Sequence, residues 1–136
     1  MTYILDACAM IALLNEEVGR GYETVSDLLA STANGETALC MSVVNLVEVY
    51  YRYIQLKGYE TADKIMESVK NLPVSFIREI SDEVYFGTAR CKSRYSMSLA
   101  DAFLCATAKS LDAVIVTKDK EIKPAEEAES LSVLWI

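Results

Sequence analysis

The run Tyr3-Ile4-Leu5-Asp6-Ala7-Cys8-Ala9-Met10-Ile11-Ala12-Leu13-Leu14 decides how the rest of the chain is read. An apolar segment of strand length ends on one carboxylate, and an apolar segment of helix length comes directly after it. Asp is a preferred residue just before a helix, because its side chain accepts from an amide that the first turn leaves open. The run predicts a strand at 2–5 and a helix at 7–14. The alternation then continues, with strand candidates at 38–42, 74–77, 113–116 and 131–135 and helical patterns at 22–32, 43–57, 60–71, 81–94 and 99–110. Strands alternating with helices predict an α/β fold.

Punctuation between these segments is chemically sensible. Asn34 and Gly35 close the second helix, Gly58 separates the third from the fourth, and Pro73 stands at the start of a strand rather than inside it. No linker, repeat or biased tract interrupts the pattern, so residues 1–136 are expected to form one domain. Helices 7–14 and 99–108 are apolar nearly all round. Such a helix needs cover on two sides, from the sheet and from a neighbouring helix or a second subunit. In helix 43–57, Val43, Leu46, Val47, Tyr50 and Ile54 form the stripe expected to face a core, and Asn45, Glu48, Arg52 and Gln55 form a polar strip.

Composition excludes several functions. The net charge of −7 disfavours loose binding to polyanions, so contact with nucleic acid would need a local basic rim or bridging cations. Arg52, Arg90, Lys92, Arg94, Lys118 and Lys120 are candidates for that rim, although solvation of helix and loop surfaces is the better account of most of them. Tyr50, Tyr51 and Tyr53 could stack on bases or pack in a core. There is no histidine, which removes any His-dependent ribonuclease mechanism. Cys8, Cys40, Cys91 and Cys105 lack metal-site spacing and read as reduced, buried thiols of a cytoplasmic protein. Asp6 cuts the N-terminal apolar run, and no stretch reaches the roughly 18–20 apolar residues of a membrane span.

Four acids sit where a carboxylate is out of place: Asp6, Glu48, Asp101 and Asp119. Desolvating an unpaired ion costs several kcal/mol, roughly, so acids inside apolar segments need a reason. Each also has a local explanation. Asp6 fits a helix cap, and Ser98-Leu99-Ala100-Asp101 fits the capping box, in which the acid returns to the cap amide. Glu48 has Arg52 one turn ahead, and Asp119 lies in the polar turn Thr117-Lys118-Asp119-Lys120-Glu121. On a parallel sheet, Asp6 and Asp119 would both lie at the carboxyl edge, where open α/β folds bind ligands.

Taken together, four segments resemble the PIN-domain ribonucleases: Tyr3-Ile4-Leu5-Asp6-Ala7-Cys8-Ala9, Asn45-Leu46-Val47-Glu48-Val49-Tyr50-Tyr51, Ser98-Leu99-Ala100-Asp101-Ala102-Phe103 and Val114-Ile115-Val116-Thr117-Lys118-Asp119. The order and spacing match over essentially the whole chain, and the compact size is similar to the VapC-type toxins of type II toxin–antitoxin pairs. The resemblance implies a central parallel sheet of about five strands flanked by helices on both sides. It also implies one cleft in which Asp6, Glu48, Asp101 and Asp119 hold Mg²⁺ or Mn²⁺, with Thr117 orienting the site and Glu121 as an outer acid. Hard oxygen ligands suit those ions, which can activate water for attack on a phosphodiester. An RNA substrate and a cognate antitoxin are the implied partners, and a homodimer is expected from the two wholly apolar helices, 7–14 and 99–108. Ile122 departs from the family, which more often has an aromatic residue there.

Two other functions are set against that one. A receiver-like phosphoacceptor domain would want adjacent acids after the first strand and an Asp after the third, whereas Asp6 has no acidic neighbour and Phe76-Ile77-Arg78-Glu79 offers none. A non-catalytic PIN-like interaction module is the second alternative, and metal binding separates it from the nuclease.

Overall fold

The computed structural model describes residues 1–136. The elements run β1 (Thr2–Leu5), α1 (Ala7–Leu14), α2 (Arg20–Thr32), β2 (Ala38–Ser42), α3 (Val43–Lys70), β3 (Ser75–Ile77), α4 (Asp82–Arg94), α5 (Leu99–Leu111), β4 (Val114–Thr117), a 3₁₀ turn (Lys120–Ile122), α6 (Lys123–Ala128) and β5 (Val133–Trp135). All four strand pairings are parallel, in the order β3-β2-β1-β4-β5. Every predicted strand is present within two residues of its expected bounds. The order differs from the 2-1-3-4-5 arrangement of receiver-type sheets, which sets that alternative aside.

Parallel strands buried on both faces send alternate residues to opposite cores. Leu5, Leu39, Met41 and Val116 pack with α1, α2 and α3, while Ile4, Cys40 and Ile115 pack with α4, α5 and the segment around Ile122. The two all-apolar helices find their second cover within the chain. α1 lies on β1 and β4 and is covered by α2 and α3, and α5 lies on the same strands and is covered by α4 and α3. No second subunit is required to bury them. No helix is long and apolar enough to cross a membrane.

Two expectations need correction. The core stripe of α3 is only partly the expected one: Leu46, Tyr50 and Ile54 pack against the core, but Val47 is 64% exposed, and Asn45, Val49 and Tyr53 are the buried positions. Several apolar positions in this stretch permit more than one helical face, and the first turn of α3 is pinned by the sheet edge. The second correction is α6, which lies with its preceding 3₁₀ turn where the sequence shows only a polar turn and an acidic run. Only Ile122 and Ala125 are buried there, too few to leave a periodic signal.

Gly58 marks the break expected between two helices. Its backbone lies at φ 82°, ψ 169° within the long span Val43–Lys70. That region is essentially open to glycine alone, and a Cβ there would meet nothing within 4 Å, so conformational strain is the whole effect of a substitution. Gly58→Ala should lower the unfolding free energy by about 1–3 kcal/mol in urea titrations, with Lys57→Ala near neutral. Equal stability of the two variants would contradict the assigned backbone.

Candidate metal centre

The sheet reverses direction beside β1. The chain steps outward from β1 to β2 and β3, then crosses back to β4 and β5 on the other side. At such a switch point two connections leave in opposite directions, opening a crevice beyond the carboxyl ends of the strands. Asp6 stands at the end of β1, and its amide still bonds Val116 O of β4 at 3.1 Å. Asp119 comes after β4, one short turn on. Asp101 arrives from the first turn of α5, on a different layer.

These three aspartates converge. One carboxylate oxygen from each lies within 4.8 Å of the others. Asp6 and Asp101 are buried at 3% and 4% exposure, which separates them from the surface acids common on any protein. Glu48 stands outside the group of three, bridged to Arg52 at 3.5 Å, yet near enough for Asp6 and Asp119 to add to the upward shift that burial gives its carboxyl.

Each site residue is held by identifiable bonds. Asp6 caps α1, with Oδ1 accepting from Ala7 N at 2.7 Å, so its cap role and its place in the cleft coexist. The Thr117 hydroxyl donates to Asp6 Oδ2 at 2.6 Å and accepts from Asp119 N at 2.9 Å, tying two of the acids together. Asp119 Oδ1 accepts from Glu121 N at 3.0 Å. The capping box at α5 is only half formed. The Ser98 hydroxyl accepts from Asp101 N at 3.1 Å, but the Asp101 carboxylate does not return to the Ser98 amide. Its Oδ2 is buried with no hydrogen-bond partner.

Two participants differ from their sequence expectation. Asn45, expected on the polar strip, is fully buried and donates through Nδ2 to Asp6 Oδ1 at 3.4 Å, while its Oδ1 has no partner. A polar side chain between Val44 and Leu46 is the same kind of signal that singles out Asp6. Cys8, expected as a small buried hydrophobe, is half-buried, with its sulfur 3.4 Å from Asp6 Oδ2 and from Thr117 Oγ1. Burial, then the Asp6 carboxylate, pushes its thiol up to about 11. The basic rim is mostly occupied: Lys118 pairs with Glu17, Arg94 with Glu129, and Lys92 donates to Met97 O. Tyr50 bonds Asp63 and Tyr53 bonds Asn15, which leaves Tyr51 as the exposed ring of the three.

A model of the PIN domain family matches residues 3–127. The chain belongs to the PIN domain family. No curated protein sequence matches it. The fold of this PIN domain is shared by a chain of VapBC2 from Rickettsia felis, solved bound to promoter DNA, at TM-score 0.76 and 16% identity over 98% of each chain. It is also shared by VapBC-1 from nontypeable Haemophilus influenzae, at 0.71 and 17% over 99% of this chain and 98% of that one. VapC20 from Mycobacterium tuberculosis, described as a sarcin-ricin loop cleaving toxin, matches at 0.69 and 17% over 92% and 95%.

Electrostatically the centre is costly without a cation. Burial, then the charges of Asp119 and Asp6, pushes the Asp101 carboxyl up to about 7, and burial raises Asp6 against the lowering effect of its Thr117 and Ala7 bonds. A carboxyl raised on folding favours the folded state most when it is protonated. That advantage is complete below the ordinary value of 3.8 and is lost as pH climbs through 7. In chelator-treated protein, the stability of the wild type relative to Asp101→Asn should therefore fall steadily between about pH 4 and about pH 7, as read by thermal melts. A constant difference across that range would remove the crowded-acid description.

Proposed function

We propose that this PIN domain is a metal-dependent endoribonuclease, with Asp6, Asp101 and Asp119 as its principal ligands for Mg²⁺ or Mn²⁺. One observation carries the proposal: three carboxylates from β1, α5 and the turn after β4 meet at the switch point of the sheet. A group so assembled repels itself, and the unpartnered Oδ2 of Asp101 is an acceptor with nothing in the protein to accept from. A hard divalent cation answers both conditions, and an all-oxygen donor set suits Mg²⁺ or Mn²⁺ over softer metals. When bound, the ion supplies positive charge to a phosphodiester and lowers the pKa of a water molecule.

The residues of the chain supply position. Thr117 and the Ala7 amide fix the Asp6 carboxylate, and Thr117 also holds the amide of Asp119, so two ligands share one orienting hydroxyl. Glu48 is the fourth acid in this reading. Its bond to Arg52 is an i,i+4 surface pair worth only ~0.2–0.5 kcal/mol, weak enough to be exchanged for a cation. Hydrolysis through the ion needs no imidazole, in keeping with the absence of histidine. The toxin role, the cytoplasmic location and a cognate antitoxin rest on the VapC-type resemblance, which the similarity of fold to VapBC proteins supports. A homodimer is proposed on a changed basis, the exposed apolar residues Val47, Tyr51, Leu56 and Tyr59 of α3.

Purified protein should cut RNA with Mn²⁺ present and stop with EDTA, and Asp6→Asn, Asp101→Asn and Asp119→Asn should each reduce cleavage to background. Saturating metal at about 100 times its dissociation constant should stabilise the wild type by about 2.7 kcal/mol, with a smaller gain in the three variants. Metal stabilisation without cleavage of any RNA would favour the interaction module. Cleavage that survives both EDTA and Asp101→Asn would mean contamination or a different mechanism, and would overturn the metal-dependent reading.

A further inference from the structure

The first turn of α5 contains an unfinished motif. In a capping box the acid three residues after the cap accepts from the cap amide. Here that acid is Asp101, which faces the cleft. The Ser98 amide is served instead by Glu121, whose Oε2 accepts from it at 3.3 Å. Glu121 comes from the 3₁₀ turn after β4, and its own amide donates to Asp119 Oδ1 at 3.0 Å. One residue thus touches the supports of two of the three clustered acids. Its own carboxylate is not among the oxygens that converge.

We propose that Glu121 is a positioning residue that keeps Asp101 in the cleft by occupying the Ser98 amide, the partner the Asp101 carboxylate would otherwise take back. The inference deepens the metal-centre reading above and rests on it. The Asp101 side chain has two destinations. One is the cap amide, which lies within the same turn and is favoured by the partial positive charge of a helix start. The other is the buried cleft, where Oδ2 has no hydrogen bond and the acidic side chains of Asp119, Asp6 and Glu121 stand nearby. With the amide open, the cap is the easier choice. With Glu121 seated on it, only the cleft remains. Glu121 performs this role as a hydrogen-bond acceptor at the Ser98 amide, although its side chain also reaches the Asp101 carboxyl and pushes it up. This differs from the outer-ligand role that the family resemblance implied for Glu121.

The distinction is testable with Glu121→Gln, which keeps an acceptor, and Glu121→Ala, which does not. Mn²⁺ dissociation constants are measured by titration calorimetry for the wild type, both variants and Asp101→Asn, together with amide hydrogen exchange at residues 98–101 of metal-free protein. Loss of a group that orients a metal ligand typically costs about 10–100-fold in affinity, so Glu121→Ala should weaken Mn²⁺ by about tenfold or more, with faster exchange of the Ser98 amide. Glu121→Gln should stay within about threefold of wild type in affinity, well inside that scale, with unchanged exchange. Equal losses in both variants would overturn the proposal in favour of a ligand or charge role. Faster exchange in Glu121→Ala with unaltered Mn²⁺ affinity would overturn it in favour of a purely structural cap. If Asp101→Asn binds Mn²⁺ as well as the wild type, the metal centre itself is wrong, which separates that failure from the other two.

Discussion

Holding like charges together in a buried crevice is the demand that the rest of this fold meets. Asp6, Asp101 and Asp119 lie far apart in the sequence, and nothing in their mutual electrostatics draws them together. Convergence is enforced by covalent placement at element ends: the exit of β1, the entry of α5 and the turn after β4. Each of those ends is fixed by burial of its neighbours. Leu5, Val116, Ala102 and Leu104 are all fully buried, so the acids cannot separate without pulling apolar side chains out of a core. Hydrophobic packing opposes the repulsion, and that is why the crowding can persist in the folded state.

The orienting hydrogen bonds divide the task differently. Thr117 links two acids through one hydroxyl, and Asn45 reaches Asp6 from α3. Such bonds add about 1–3 kcal/mol each, the larger figure where the acceptor is an ionised carboxylate, and they also fix where the oxygens point. Packing brings the groups together, and the polar contacts aim them.

Much of this is legible in the chain itself. Strands can be read because short apolar runs such as Ala113-Val114-Ile115-Val116 are bounded by polar turns. Asp6 and Asp101 can be read because a charge inside an apolar run is conspicuous. Asn45 escapes because it carries no charge and sits one turn from Glu48, so it blends into the polar face that Glu48, Arg52 and Gln55 keep and that Asn45 leaves. The phase of α3 is hidden for the same reason: Val43, Val44, Leu46, Val47 and Val49 satisfy several helical faces, and contact with the sheet chooses one. α6 leaves no trace because it buries too little. The fate of the Asp101 carboxylate is out of reach of local patterns, since Glu121, which takes over its amide, lies 23 positions from Ser98 along the chain.

The strand order has a consequence for biosynthesis. β1 is made first, yet its partner on one side, β4, begins only at Val114. Until that late segment has emerged and docked, Asp6 has neither Thr117 nor Asp119 beside it, and no cleft exists. A growing polypeptide therefore lacks an assembled acid cluster until β4 and the turn after it have docked. The moment at which the three acids meet is thus written into the topology of the sheet.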